Sequence, residues 1–148
     1  MPTSKKPRKK YQGRPAGASF IKAFRFNSEA DFWLKNQPHQ ALESMRDGTA
    51  TAQHMETLVL RIMWGARMVD DHLVDADDAR SVVARGVSAV TSVADRYARV
   101  EKFGATGEEF GHLGDALNMI DDLQSVLTRR EMESSLKAVI NESRCRAA

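Results

Sequence analysis

A stripe of apolar residues at helical spacing constrains this chain more than any other feature. Met55, Val59, Ile62, Ala66, Val69 and Leu73 recur at intervals of 4, 3, 4, 3 and 4, which places them on one face of an α-helix. A second line, Leu60, Trp64 and Met68, runs about 100° around the same helix. A helix apolar over that much of its circumference is either the central member of a bundle or faces a partner chain. Leu60, Trp64 and Met68 are therefore candidate interface residues, and a homodimer is one expectation.

The same period returns further along. Ala79, Val83, Gly86, Val90, Val93, Tyr97 and Val100 form one seam, entered at Asp75 or Asp78. Phe110, Leu113, Leu117, Ile120 and Leu127 form the next, with Gln124 in one slot, and Met132, Leu136, Val139 and Ile140 the last. Thr106 with Glu109, and Thr128 with Glu131, have the spacing of capping boxes, in which hydroxyl and carboxylate satisfy the first free backbone N–H groups of a helix. Before the long helix, Ser28 is a plausible N-cap, with Phe32 and Trp33 as buried anchors, and Pro38 is expected to stop that helix. A short helix then ends at Gly48, a residue able to take the left-handed conformation, and Thr51 caps the next. No stretch sustains strand alternation. The chain is predicted to be all-α, a small bundle of four to five helices.

At 148 residues the chain is long enough for one core. Two segments are expected: a flexible basic arm over residues 1–18 and a single helical domain over 19–148. Pro2, Pro7 and Pro15 keep the arm out of regular helix, and like charges extend it. After it, SFIKAFRFN sets Phe20, Phe24 and Phe26 among Lys22 and Arg25, as a short helix or as an extended segment docking those rings on the body.

Charge is unevenly spread. The net charge is +2, yet Met1–Phe26 holds eight of the 22 Lys and Arg residues and no Asp or Glu, and the other 14 face all 20 acids. The arm segment is thus +8 and the remainder −6. Clustered cations neutralise phosphates and release condensed counterions, an interaction that needs charge density rather than a particular fold. Lys5, Lys6, Arg8, Lys9, Lys10 and Arg14 are the candidate polyanion-binding residues, with Lys22 and Arg25 next. Tyr11 is placed to stack on an exposed base, and Arg14 to enter a minor groove. The expected partner is nucleic acid or a nucleoprotein complex. An acidic protein surface, nuclear import or simple solubility would use the same residues.

Chemistry-bearing clusters are few. VDDHLVDADD, Val69–Asp78, carries Asp71 and Asp75 one helical turn apart with His72 between them, but it also coincides with an interhelical turn where acids act as caps. Glu108, His112, Asp115 and Asp122 share a helix face, which suits either metal ligation or solvent. The chain has neither a nucleophilic triad nor a phosphate-binding glycine loop. No metal, no cofactor and no enzymatic activity are expected. The single Cys145 has no disulfide partner in the chain, the N-terminus lacks the apolar core of a secretory signal, and no apolar run approaches the roughly 18 residues of a membrane span. A cytoplasmic location is expected.

KPRKKY (Lys6–Tyr11), ALESMRDGTATAQHMETL (Ala41–Leu58) and ALNMIDDLQSVLTRREMESSLKAV (Ala116–Val139) together resemble a group of small proteins of proteobacteria, their prophages and plasmids, with no assigned activity. The resemblance covers about a third of the chain. It implies a bacterial, phage or mobile-element setting and carries no site residues. In that setting the expected role is an accessory protein whose arm engages nucleic acid. The alternatives are an inhibitor or adaptor of a host defence or transcription protein, and a structural component of a particle.

Overall fold

The structure, a computed structural model, describes the backbone of residues 28–147 and the side chains of residues 34–146. Among the described residues are five helices and no strands: α1 (Ser28–Arg46), α2 (Ala52–His72), α3 (Asp77–Val100), α4 (Gly107–Val126) and α5 (Arg129–Ala147). The chain is an all-α bundle. The basic arm, with Lys5, Lys6, Arg8, Lys9, Lys10, Tyr11 and Arg14, lies outside the described residues, as do Lys22, Arg25 and the phenylalanines around them.

Helix α2 is the centre. It packs against all four other helices, while α3 and α4 make the most extensive pair. Leu58, Ile62 and Met68 of α2 meet Val83, Val90 and Val93 of α3 and Leu113, Leu117 and Ile120 of α4 in a fully buried core. This central position explains why α2 is apolar around so much of its circumference. Of the three residues expected at an interface, Trp64 is 2% and Met68 0% exposed within the single chain, and Leu60 is half-buried. Trp64 is held further by its indole N–H, which donates to the Met132 carbonyl of α5 at 3.0 Å.

Pro38 does not stop α1, which runs through it. A mid-helix proline forfeits the bond to the carbonyl four residues back and costs about 3 kcal/mol. Here Pro38 is itself buried, and the continuing helix puts Ala41, Leu42 and Met45 into the core. Burial at roughly 1.5–3 kcal/mol for a large apolar side chain outweighs the lost bond. The helix ends in a Schellman turn: Thr49 N–H donates to Ser44 at 2.9 Å and Gly48 N–H to Met45 at 3.3 Å, with Gly48 at φ +76°. Only a residue without a β-carbon takes that φ freely.

The turn between α2 and α3 differs from expectation by a small shift. The N-cap of α3 is Ala76, without a side-chain cap bond, and Asp77 and Asp78 occupy the first turn. Asp75 is instead the left-handed residue of the turn, at φ 57°. The two capping boxes form as expected. Thr106 N–H donates to Glu109 Oε2 at 2.9 Å and Glu109 N–H to Thr106 Oγ1 at 3.2 Å; Thr128 and Glu131 repeat the pattern.

Candidate functional site: an apolar groove along α2

The side of α2 turned away from the core is not polar throughout. Val59, Leu60, Met63 and Ala66 continue an apolar strip there and form the floor of a groove of about 900 Å³. One wall comes from Ala94 and Tyr97 of α3 with Phe103 of the following loop, the other from Val139 and Ser143 of α5. Tyr97 and Phe103 stack face to face, 3.8 Å between centroids and 5° between planes. The stack leaves Tyr97 36% exposed. Methionine's unbranched, polarisable side chain adapts to differently shaped partners, and Met55 and Met63 both line this groove.

The rim is charged. Glu56, Asp70 and Glu142 bring three carboxylates, and Arg67 and Arg146 two guanidinium groups. Arg67 is already engaged: its Nε donates to Asp71 Oδ2 at 2.9 Å, and its Nη1 to Glu142. The hydrogen bond to Asp71 raises the Arg67 pKa above its ordinary value, and the bond to Glu142 links α2 to α5. An apolar trough with a mixed charged rim is the geometry by which helical proteins receive an amphipathic segment.

A second cluster lies on the opposite side of α2. Arg61 is 3% exposed, and its Nη2 donates both to Asp121 Oδ1 at 2.9 Å and to Gln124 Oε1 at 2.6 Å. His39 Nε2 of α1 lies 2.9 Å from the other Asp121 oxygen, and the Trp64 ring lies under the guanidinium at 5.3 Å. Burial lowers the Arg61 pKa against the opposing pull of the Asp121 hydrogen bond and charge. Nε and Nη1 have no acceptor. A cavity of about 220 Å³ adjoins, lined by Leu34, Pro38, Leu60, Trp64 and Leu136 among others. Arg61 is itself among the residues lining that cavity, although these two nitrogens have almost no exposed surface. The cluster joins α1, α2 and α4.

The acid clusters singled out from the sequence are drawn into other contacts. Asp71 accepts from Arg67 and from Ser135 Oγ at 3.1 Å, and His72 Nε2 lies 3.0 Å from the Glu131 carbonyl. His112 pairs loosely with Glu108 at 3.5 Å, while Asp115 and Asp122 are exposed. Among the described residues, no three His, Cys, Asp or Glu side chains are grouped so as to hold a metal ion. No helix among them is long and apolar enough to cross a membrane.

Of the groove's lining, the sequence marks Val59, Leu60 and Ala66 as apolar positions of α2 and Tyr97 and Val139 as seam positions of α3 and α5, but not Met63, whose signal is its place three and four residues from Leu60 and Val59. Scanning family models, curated proteins and solved structures found nothing that matches the chain.

Proposed function

We propose that this chain is a non-enzymatic binding protein whose basic N-terminal arm engages nucleic acid or a nucleoprotein complex, with the helical bundle as its holder. The observation that carries this reading is the segregation of charge: eight cations and no acid from Met1 to Phe26, ahead of a −6 remainder. An acidic globule repels phosphates, so contact concentrates on Lys5, Lys6, Arg8, Lys9, Lys10 and Arg14. An accessory role in a phage or mobile element rests on the sequence resemblance alone.

The test is binding of the full chain to duplex DNA across a salt series. Six cations on phosphates give a log–log slope of about −5, from roughly −0.9 per neutralised phosphate. Replacing all six by Gln should abolish binding or bring the slope near zero. An unchanged slope in that variant overturns the reading.

The groove favours a second reading, an adaptor that takes a partner protein's amphipathic segment. Capture of host proteins from nuclease-treated lysate separates the two. Partners lost with nuclease support the arm; partners retained, and lost again with Met63→Glu, support the groove.

A further inference from the structure

The groove along α2 is an apolar surface without a cover among the described residues, and the sequence carries an apolar segment just ahead of α1. Residues 20–26 hold Phe20, Ile21, Phe24 and Phe26 within seven positions, interleaved with Lys22 and Arg25. A phenylalanine ring brings roughly 150–250 Å² of surface that is favoured to leave water. The groove floor of Val59, Leu60, Met63 and Ala66 is of matching character and adaptable shape.

Position and reach agree with the match in chemistry. Leu34 of α1 lines the small cavity, and Leu60 lines both that cavity and the groove. The amino-terminal half of α1 is thus separated from the groove by the Leu60 side chain. Ser28, where α1 begins, stands about 9 Å further along the helix axis, at 1.5 Å per residue. Residues 20–27 extend to roughly 26 Å at the chain's maximum rise, enough to turn back over Leu60. Of the rim carboxylates, Glu56 is exposed, and Asp70 and Glu142, paired with Arg80 and Arg67, each keep a second oxygen for Lys22 and Arg25. A tethered segment also presents itself at an effective concentration in the millimolar range, which a free partner rarely matches.

We propose that the groove is occupied by the chain's own Phe20–Phe26 segment, with Phe20, Phe24 and Phe26 as anchors and Lys22 and Arg25 at the acidic rim. Docking there fixes the root of the cationic arm to the α2–α5 edge of the bundle, so that residues 1–17 leave from a defined point. The inference stands whether or not the arm binds nucleic acid.

Paramagnetic broadening in the full chain tests it. With Cys145→Ser, a nitroxide is attached at Ser143→Cys on the groove wall, or at Asn118→Cys on the exposed side of α4 as control. Amide signals of residues 19–26 should lose most of their intensity with the first label and keep it with the second. Phe20→Ser together with Phe24→Ser should restore them, with other changes in the bundle's spectrum confined to residues lining the groove such as Val59, Met63 and Ala66. Intensities that survive the Ser143 label overturn the proposal. A mixture of isotope-labelled, nitroxide-free chain with unlabelled, nitroxide-bearing chain should show no broadening. Broadening in that mixture means the segment of a second copy fills the groove, and likewise overturns it.

Discussion

Gly86 of α3 and Ala116 of α4 cross at a point with no room for one further carbon. A β-carbon built on Gly86 overlaps the Ala116 methyl group, with the His112 carbonyl and Ile62 close behind. This contact sets how closely the most extensive helix pair in the bundle approaches. Gly86→Ala gains about 1 kcal/mol of helix propensity, but Ala116 is fully buried and a methyl group cannot rotate away. Overpacking of this kind costs about 1–3 kcal/mol, so the variant should be destabilised overall. Gly111, on the same helix as Ala116 but with open space where its β-carbon would stand, supplies the contrast: Gly111→Ala should be stabilised by about 1 kcal/mol. Urea unfolding of the two variants checks the pair. Equal effects of the same sign would mean that the crossing is looser than described.

How far the bundle could be read from sequence varies by helix. In α3 and α4 the seam members Val83, Gly86, Val90 and Val93, and Leu113, Leu117 and Ile120, are buried, because each helix buries one face and one face leaves one pattern; Tyr97 and Val100, which continue the α3 seam, are exposed where that helix runs beyond the core. In α2 the expected stripe through Val59 and Ala66 was rotated from the true centre. Leu58, Ile62, Gly65 and Met68 lie deepest, and a helix covered on most sides presents several equally regular lines. Arg61 sits among them, and its place three residues from both Leu58 and Trp64 was the available sign of a buried cation. Pro38 departs from expectation because the burial of Ala41, Leu42 and Met45 beyond it overrides its local backbone preference. The groove itself is a matter of what fails to cover an apolar strip, and periodicity says nothing about neighbours. The cations of the arm remain a sequence argument.

Asp121 and Arg61 should respond unequally to removal. The guanidinium is 3% exposed and the carboxylate 22%, so the two charges differ in access to water once orphaned. Asp121→Ala strands a buried guanidinium and should cost about 3–5 kcal/mol. Arg61→Met leaves a carboxylate that water can reach and that retains His39, and it removes two donors that lack acceptors. It also leaves the buried Gln124 Oε1 without its donor, so that variant should cost about 1–3 kcal/mol, less than Asp121→Ala. Chemical denaturation reads both values. An Arg61→Met cost equal to that of Asp121→Ala would show that the pair acts as a net stabiliser.

Acid should loosen the α3–α4 corner through Glu109. Arg96 holds it in a two-pronged bond, 2.7 Å to Oε1 and 3.0 Å to Oε2. That bond, with Thr106 adding to it, keeps the Glu109 carboxyl below the usual carboxylate range. A carboxyl with a depressed folded pKa contributes its stability above the unfolded value, about 4.3 for Glu, and loses it as pH falls through the folded value. Glu109→Gln should therefore be less stable than the native chain at pH 7. The difference should shrink once the pH drops below about 4.3 and vanish in stronger acid. Thermal melts from pH 7 to pH 2.5 follow this directly. A gap that stays constant with pH would assign the loss to packing rather than to the charge.

Trp64 and Met63, neighbours in sequence, should separate folding from recognition. Trp64 is 2% exposed, and its indole is bonded to the Met132 carbonyl; Trp64→Ala should cost about 3–5 kcal/mol. Trp64→Phe keeps most of the packing and leaves that carbonyl without its donor, at about 1–3 kcal/mol. Neither change should alter the state of association, since the ring faces α5 of the same chain. Met63 lies half-buried on the groove floor, and Met63→Ala should cost well under the Trp64 values because part of its surface is already in water. Unfolding curves beside sedimentation velocity resolve the four chains. If Trp64→Ala lost a dimer while keeping its stability, the indole would belong to an interface between copies and α2 would no longer be the centre of a self-contained core.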